Sequence, residues 1–180
     1  LETSIAGYSG ASDWLVGIAY QAEEFTSDTF EQFDYSYDVP GLFTQLDYEL
    51  TEQLTTSISA RVDDHSEYGT QFSPRVSMLY RPGDVTIRGS YGQGYFAPTP
   101  FVEEIEAAGL SRLEPLQDLK EEQAETASLD VTYTLENIEA SITAFGSNID
   151  NVTELQAFSS NNTAIFDRVR LVNAEGETQI

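Results

Sequence analysis

A strict alternation of apolar and polar residues constrains this chain more than any other feature. In QFSPRVSMLYRPGDVTIRGSYGQGYF, residues 71–96, Phe72, Pro74, Val76, Met78 and Tyr80 alternate with Ser73, Arg75, Ser77 and Leu79. The pattern crosses a Pro-Gly-Asp turn and resumes, with Val85, Ile87, Gly89 and Tyr91 set against Thr86, Arg88 and Ser90. Period two is the side-chain repeat of an extended strand. A slip of one residue would carry the whole apolar set to the other face, so the pattern also fixes register. The same alternation runs through WLVGIAYQ, LFTQLDYEL, LTTSISARVD, ASLDVTYTL and IEASITAFG.

The connections alternate in length. Short ones fall at 9–13, 49–53, 81–84 and 134–137, and long ones at 23–40, 64–70, 93–123 and about 150–167. Short turns on one rim and long loops on the other describe an all-β, antiparallel up-and-down meander. Transmembrane barrels have this asymmetry. The expected fold is a partial transmembrane β-barrel of about eight or nine strands. One short helix is expected in the long loop 93–123, at roughly 100–108. There Thr99 offers a cap, Pro100 a first turn, Glu103 and Glu104 suit the positive end of the dipole, and Gly109 stops the helix.

Facing follows from the pattern. Trp14, Tyr48, Tyr80 and Tyr133 lie on the apolar face near the short-turn rim. Amphipathic rings prefer the headgroup level, so these four are the candidate membrane girdle against outer-membrane lipid. Arg61, Asp63, Arg75 and Arg88 share the opposite face with Ser and Thr, which suits a wet lumen. A soluble antiparallel sheet with one packed face is the rival, as an acidic β-sandwich for adhesion or calcium binding. A passive porin-like channel is a third reading.

Charge excludes one class of partner. Eight basic residues against 31 acidic ones give a formal net charge of -23, so nucleic acid, which needs Lys and Arg for its phosphates, is not expected. There is no Cys, hence no disulfide or thiolate site. No 18-residue apolar run offers a transmembrane helix, which leaves spanning strands open. LETSIAGYSG, residues 1–10, has neither the basic nor the apolar region of a signal peptide.

Local motifs add little chemistry. Gly92-Gln93-Gly94 lacks the third Gly and the βαβ context of a nucleotide loop. His65 stands beside Asp63, Asp64 and Glu67 and reads as an exposed loop histidine rather than a metal ligand. Loop 23–38 mixes carboxylates with Phe25, Phe30, Phe33, Tyr35 and Tyr37, without EF-hand spacing, and reads as a hydrated loop whose rings stack on an arriving ligand. No catalytic constellation, metal site or cofactor motif is expected, because a triad would have a single His to use.

Residue identity goes further than periodicity. Arg61 and Asp63, Tyr68-Gly69, Ser73-Pro74-Arg75, Tyr80-Arg81-Pro82 and Gly92-Gln93-Gly94-Tyr95-Phe96-Ala97-Pro98-Thr99 occur in an order that resembles the barrel of a TonB-dependent outer-membrane receptor. LEPLQDLKEEQAETASLDVTY with Glu122, SITAFGSNIDNV and LVNAEGETQ continue the likeness downstream. The resemblance implies a Gram-negative outer-membrane location. It implies active uptake of a scarce ligand such as a ferric siderophore, haem, cobalamin or a glycan, driven by the TonB complex acting through a plug domain. It also implies that Arg61, Asp63, Arg75 and Arg88 face lumen or plug. Phe33, Tyr35, Tyr37, Tyr95, Phe96 and Thr99, in loops 23–40 and 93–123, would contact a small ligand such as a metal chelate. Phe96 stands where the family usually has Arg, so that residue's role does not carry over. Residues 1–180 are expected to be a fragment of one barrel domain, with no plug domain present.

Overall fold

The computed structural model describes residues 1–101, 109–159, 168–174 and 178–179. Strands β1 (Glu2–Ser9), β2 (Ser12–Phe25), β3 (Tyr35–Thr51), β4 (Leu54–His65), β5 (Gly69–Tyr80), β6 (Val85–Phe96), β7 (Glu122–Leu135) and β8 (Ile138–Asp150) pair in chain order, each antiparallel to the next. Two short segments precede the last strand, β9 (Thr153–Phe158) and β10 (Arg168–Asn173), and form a separate hairpin. The final strand, β11 (Thr178–Gln179), pairs with β8 to complete a nine-stranded sheet. This is the meander that the alternation implies, and the sheet does not close on itself.

On one rim the turns are as short as antiparallel pairing allows. Ser9 pairs with Ser12, Thr51 with Leu54 and Leu135 with Ile138, which leaves two residues to turn each corner. Gly10 and Gly83 adopt φ of 60° and 71°, the left-handed region that tight hairpin turns need and that a Cβ disfavours.

At the other rim the strands run further than the sequence pattern. β2 and β3 stay paired up to Phe25 and Tyr35, so half of 23–40, expected as loop, is strand and the connection is 26–34. Similarly, His65 pairs with Gly69 and the connection within 64–70 shrinks to 66–68. The reason is that alternation marks a strand only while its two faces meet different media. Beyond the apolar rows the outer face turns polar while Phe25, Tyr35, Tyr37 and Val39 line the inner one, and backbone groups still need partners, so the ladder continues. The helix expected at roughly 100–108 falls mostly on 102–108, outside the described residues. Its described neighbourhood has 3₁₀ turns at Glu31–Phe33 and Leu110–Arg112.

Register sorts side chains into rows across the sheet. One face carries Ile18–Leu42–Val62–Phe72, Trp14–Leu46–Ile58–Val76–Tyr91, Tyr48–Thr56–Met78–Gly89–Leu129 and Leu54–Tyr80–Ile87–Val131–Ile142. The other carries Gln45–Ser59–Arg75–Gly92–Thr126–Ser147 and Asp47–Ser57–Ser77–Ser90–Ser128. Hydroxyls bond across this wet face, Ser90 to Ser128 at 2.7 Å and Thr126 to Ser147 at 2.9 Å. The apolar face has no cover: Ile142 is 72% exposed, Leu42 61% and Phe72 60%. Among the described residues the buried apolar cluster lies elsewhere, at the long-loop rim, where Phe33, Leu113, Val169 and Leu171 pack together.

Candidate ligand-facing site

Strand period two places Arg61, Asp63 and His65 on one side of β4, at the end that leads to the 66–68 connection. Arg61 Nε donates to both carboxylate oxygens of Asp63, at 2.9 and 2.8 Å. Asp63 is buried, and the residue opposite it on β3 is Gly41. A Cβ at Gly41 would overlap Asp63 Oδ1. Glycine is therefore what lets the carboxylate lie flat against β3. Arg61 also lies over the Phe43 ring, 6.0 Å from its centroid, and that ring in turn covers Gly17.

Above this pair the wall is aromatic. Tyr35 and Tyr37, two apart on β3, stack at 4.7 Å. Tyr37 meets His65 at 4.9 Å, and His65 meets Tyr68 at 5.0 Å. Phe101 joins from the β6–β7 connection, edge-on to Phe25 at 4.5 Å. Polar tips are anchored: the Tyr35 hydroxyl donates to Glu23 Oε1, and the Tyr68 hydroxyl donates to Pro98 O at 2.8 Å. Burial, more than the neighbouring Tyr37, pushes the Tyr68 phenol well above its usual pKa. Gln71 holds the connection from below, donating to Tyr68 O at 2.8 Å.

These groups enclose a cavity of about 210 Å³ lined by Gln21, Glu23, Tyr37, Val39, Arg61, Asp63, His65 and Tyr95. Tyr95 enters against the alternation, which would put it outside with Tyr91. The pairing of β5 with β6 ends at Arg75↔Gly92, and the next residue, Pro74, has no N–H to continue it. β6 then stays with β7 alone, as far as Phe96↔Glu122.

The structure brings together Arg61, Asp63, Tyr37 and Tyr95. Tyr35 and Thr99 adjoin them, since Thr99 reaches the Tyr35 hydroxyl. Arg75 and Arg88 share the wet face but stand lower, opposite Ser59 and Gly92, and opposite Leu79 and Asp130. Phe96 is exposed outside the cavity, and Phe33 packs inside the loop cluster. His65 needs correcting. Expected as an exposed loop residue, it ends β4 and is 5% exposed, because rings from two other segments close over it. The reading missed Gly41, gave Tyr68 only within a family motif and counted Glu23 only among the carboxylates of loop 23–38. Period two from Arg61 could have placed His65 on the wall, whereas Gly41 needs the inter-strand register.

The profile of the family described as "TonB dependent receptor-like, beta-barrel" matches residues 3–180. The chain belongs to this family of receptor barrels. Among curated relatives, the iron-regulated outer membrane virulence protein of Vibrio cholerae is 30% identical over 121 residues, 63% of this chain and 18% of that protein. The vitamin B12 transporter BtuB of the same species is 24% identical over 147 residues, 81% of this chain and 23% of that protein. The siderophore receptor PirA of Pseudomonas aeruginosa superposes with a TM-score of 0.84 at 15% identity, over 99% of this chain and 37% of that one. The hemophore receptor HasR of Serratia marcescens gives 0.72 at 13% identity, over 99% and 37%. The chain thus spans about a fifth of the curated relatives. It is an outer-membrane receptor-barrel sequence of the Gram-negative type, and the soluble sandwich reading falls with that assignment.

Proposed function

We propose that this segment is wall and loop rim of a barrel that takes up a scarce ligand actively, with the TonB complex acting through a plug inside the barrel. One observation carries the reading: a single sheet has an uncovered apolar face and, on its other face, a charged and aromatic wall with a cavity at the long-loop rim. Each large apolar side chain left in water forgoes roughly 1.5–3 kcal/mol, so such a face calls for lipid.

The four rim aromatics support that orientation. Trp14 lies in the row of Leu46, Tyr48 in the next row towards the turns, Tyr80 in the next and Tyr133, opposite Val85, in the next. Three rows are about 20 Å along the strands, and the steps from β2 to β7 span about 24 Å across them. The line is therefore inclined by roughly 40°, matching the strand tilt of a transmembrane barrel, ~35–45°. On strands so tilted the four rings form a level collar. Leu42 to Leu50 on β3 rises roughly 21 Å at that tilt, close to the ~25 Å apolar band of such barrels.

In this reading Arg61, Asp63, Arg75 and Arg88 face plug or lumen. Tyr35, Tyr37, Tyr95 and Thr99 meet the ligand, Phe33 braces the loops they stand on, and Phe96 lies outside the cavity. Relatives named for vitamin B12, a siderophore and a hemophore support a ferric chelate, haem or a cobalamin as the ligand, and a glycan stays a further candidate from the family resemblance. The test expresses the intact receptor that carries this segment in an outer-membrane receptor-deficient Gram-negative strain. Uptake of labelled cyanocobalamin, haemin and ferric enterobactin is compared with and without a functional TonB. Accumulation of one of them that collapses without TonB is expected. Equal accumulation in both strains would make the barrel a passive channel, and none of the three would exclude these ligands.

A further inference from the structure

One nitrogen in the cavity is unanswered. His65 Nδ1 accepts the backbone N–H groups of Glu67 at 3.2 Å and Tyr68 at 3.3 Å, so the ring proton sits on Nε2. Among the described residues nothing accepts from Nε2, although the ring is 5% exposed and lines the cavity. This tautomer rules out a metal-ligand role for Nε2, which would need its lone pair free and Nδ1 donating.

The other lining groups narrow the occupant. Arg61 and Tyr95 are further donors, and the Arg61 charge is matched by Asp63. Glu23 supplies an acceptor, and Gln21 supplies both kinds of group. An anion would meet the Glu23 carboxylate. A cation brings no acceptor for the His65 N–H and leaves that donor unanswered. An uncharged oxygen satisfies the free donors without opposing either charge. The volume is below the roughly 300 Å³ at which pockets begin to hold whole drug-sized molecules, so it suits one moiety of a larger ligand.

We propose that the His65 cavity is a binding subsite for an uncharged oxygen-bearing group, a hydroxyl or amide carbonyl, whose oxygen accepts the Nε2–H of His65. This rests on the ligand-facing role proposed above, but its test needs no uptake, so the two can fail separately. The intact receptor in detergent micelles is probed by saturation-transfer NMR with N-acetylglucosamine, glucosamine and glucuronate, one ring in neutral, cationic and anionic form. N-acetylglucosamine is expected to show saturation transfer and the charged sugars far less. His65→Leu should weaken the neutral probe roughly five- to tenfold, and Tyr95→Phe should weaken it less. His65→Gln, which keeps a donor near the Nε2 position, should restore binding and shows that the loss is not one of folding. Equal signals from wild type and His65→Leu would overturn the proposal, as would equal binding of all three sugars.

Discussion

At the scale of single residues, the charged part of the wall depends on a hydrogen atom. Gly41 faces Asp63 across the β3–β4 pair, and any side chain there would displace the carboxylate that receives Arg61. Gly41→Ala is expected to lower stability by about 1–3 kcal/mol, as overpacking does. In an Asp63→Ala background the same change should cost less than about 0.5 kcal/mol, since the obstacle is gone. Unfolding of the intact barrel in detergent across this double-mutant cycle checks it, and equal costs in both backgrounds would place the clash elsewhere. The Arg61–Asp63 pair was legible in the sequence as two polar residues on one strand face. Gly41 was not, because its importance lies in what pairs with it, some twenty residues on.

At the scale of the strand, facing is the testable property. Ile58 lies mid-row on the apolar face of β4 and its neighbour Ser59 on the wet one, opposite Gln45 and Arg75. Ile58→Arg should cost about 2–4 kcal/mol, the cost of a charge near the bilayer midplane. Ser59→Arg should stay within about 1 kcal/mol, because a lumen position keeps its water. Folding into lipid vesicles, measured for both variants, distinguishes them, and similar costs would contradict the assigned faces. Periodicity gave these faces directly, since each strand here separates two media. It failed at Tyr95, where Pro74 stops the β5–β6 ladder and the strand end turns its ring inward. It also failed at the strand ends, which continue past the apolar rows to Phe25 and Tyr35.

For the whole molecule, the sheet and the loop rim are stabilised by different means. Phe33, Leu113, Val169 and Leu171 come from three separate connections and bury one another, with Glu114 N donating to Val169 O at 2.9 Å. Leu113→Ala, at a site 2% exposed, removes the middle of that cluster and should cost about 2–5 kcal/mol locally. Limited proteolysis of the intact receptor should then cut the β6–β7 connection faster while the strands stay protected, and unchanged cutting would show that the cluster does not hold the rim. By itself the sequence determined the meander, its short-turn rim, the two faces of each strand and the family, because period-two patterning and motif order are local properties of a strand between two media. Tertiary structure alone decided that His65 is buried, that Tyr95 turns inward, that Gly41 makes room for Asp63 and that Phe33 packs into the loop cluster. Each of these depends on what a distant segment brings against the residue, and no local period records that.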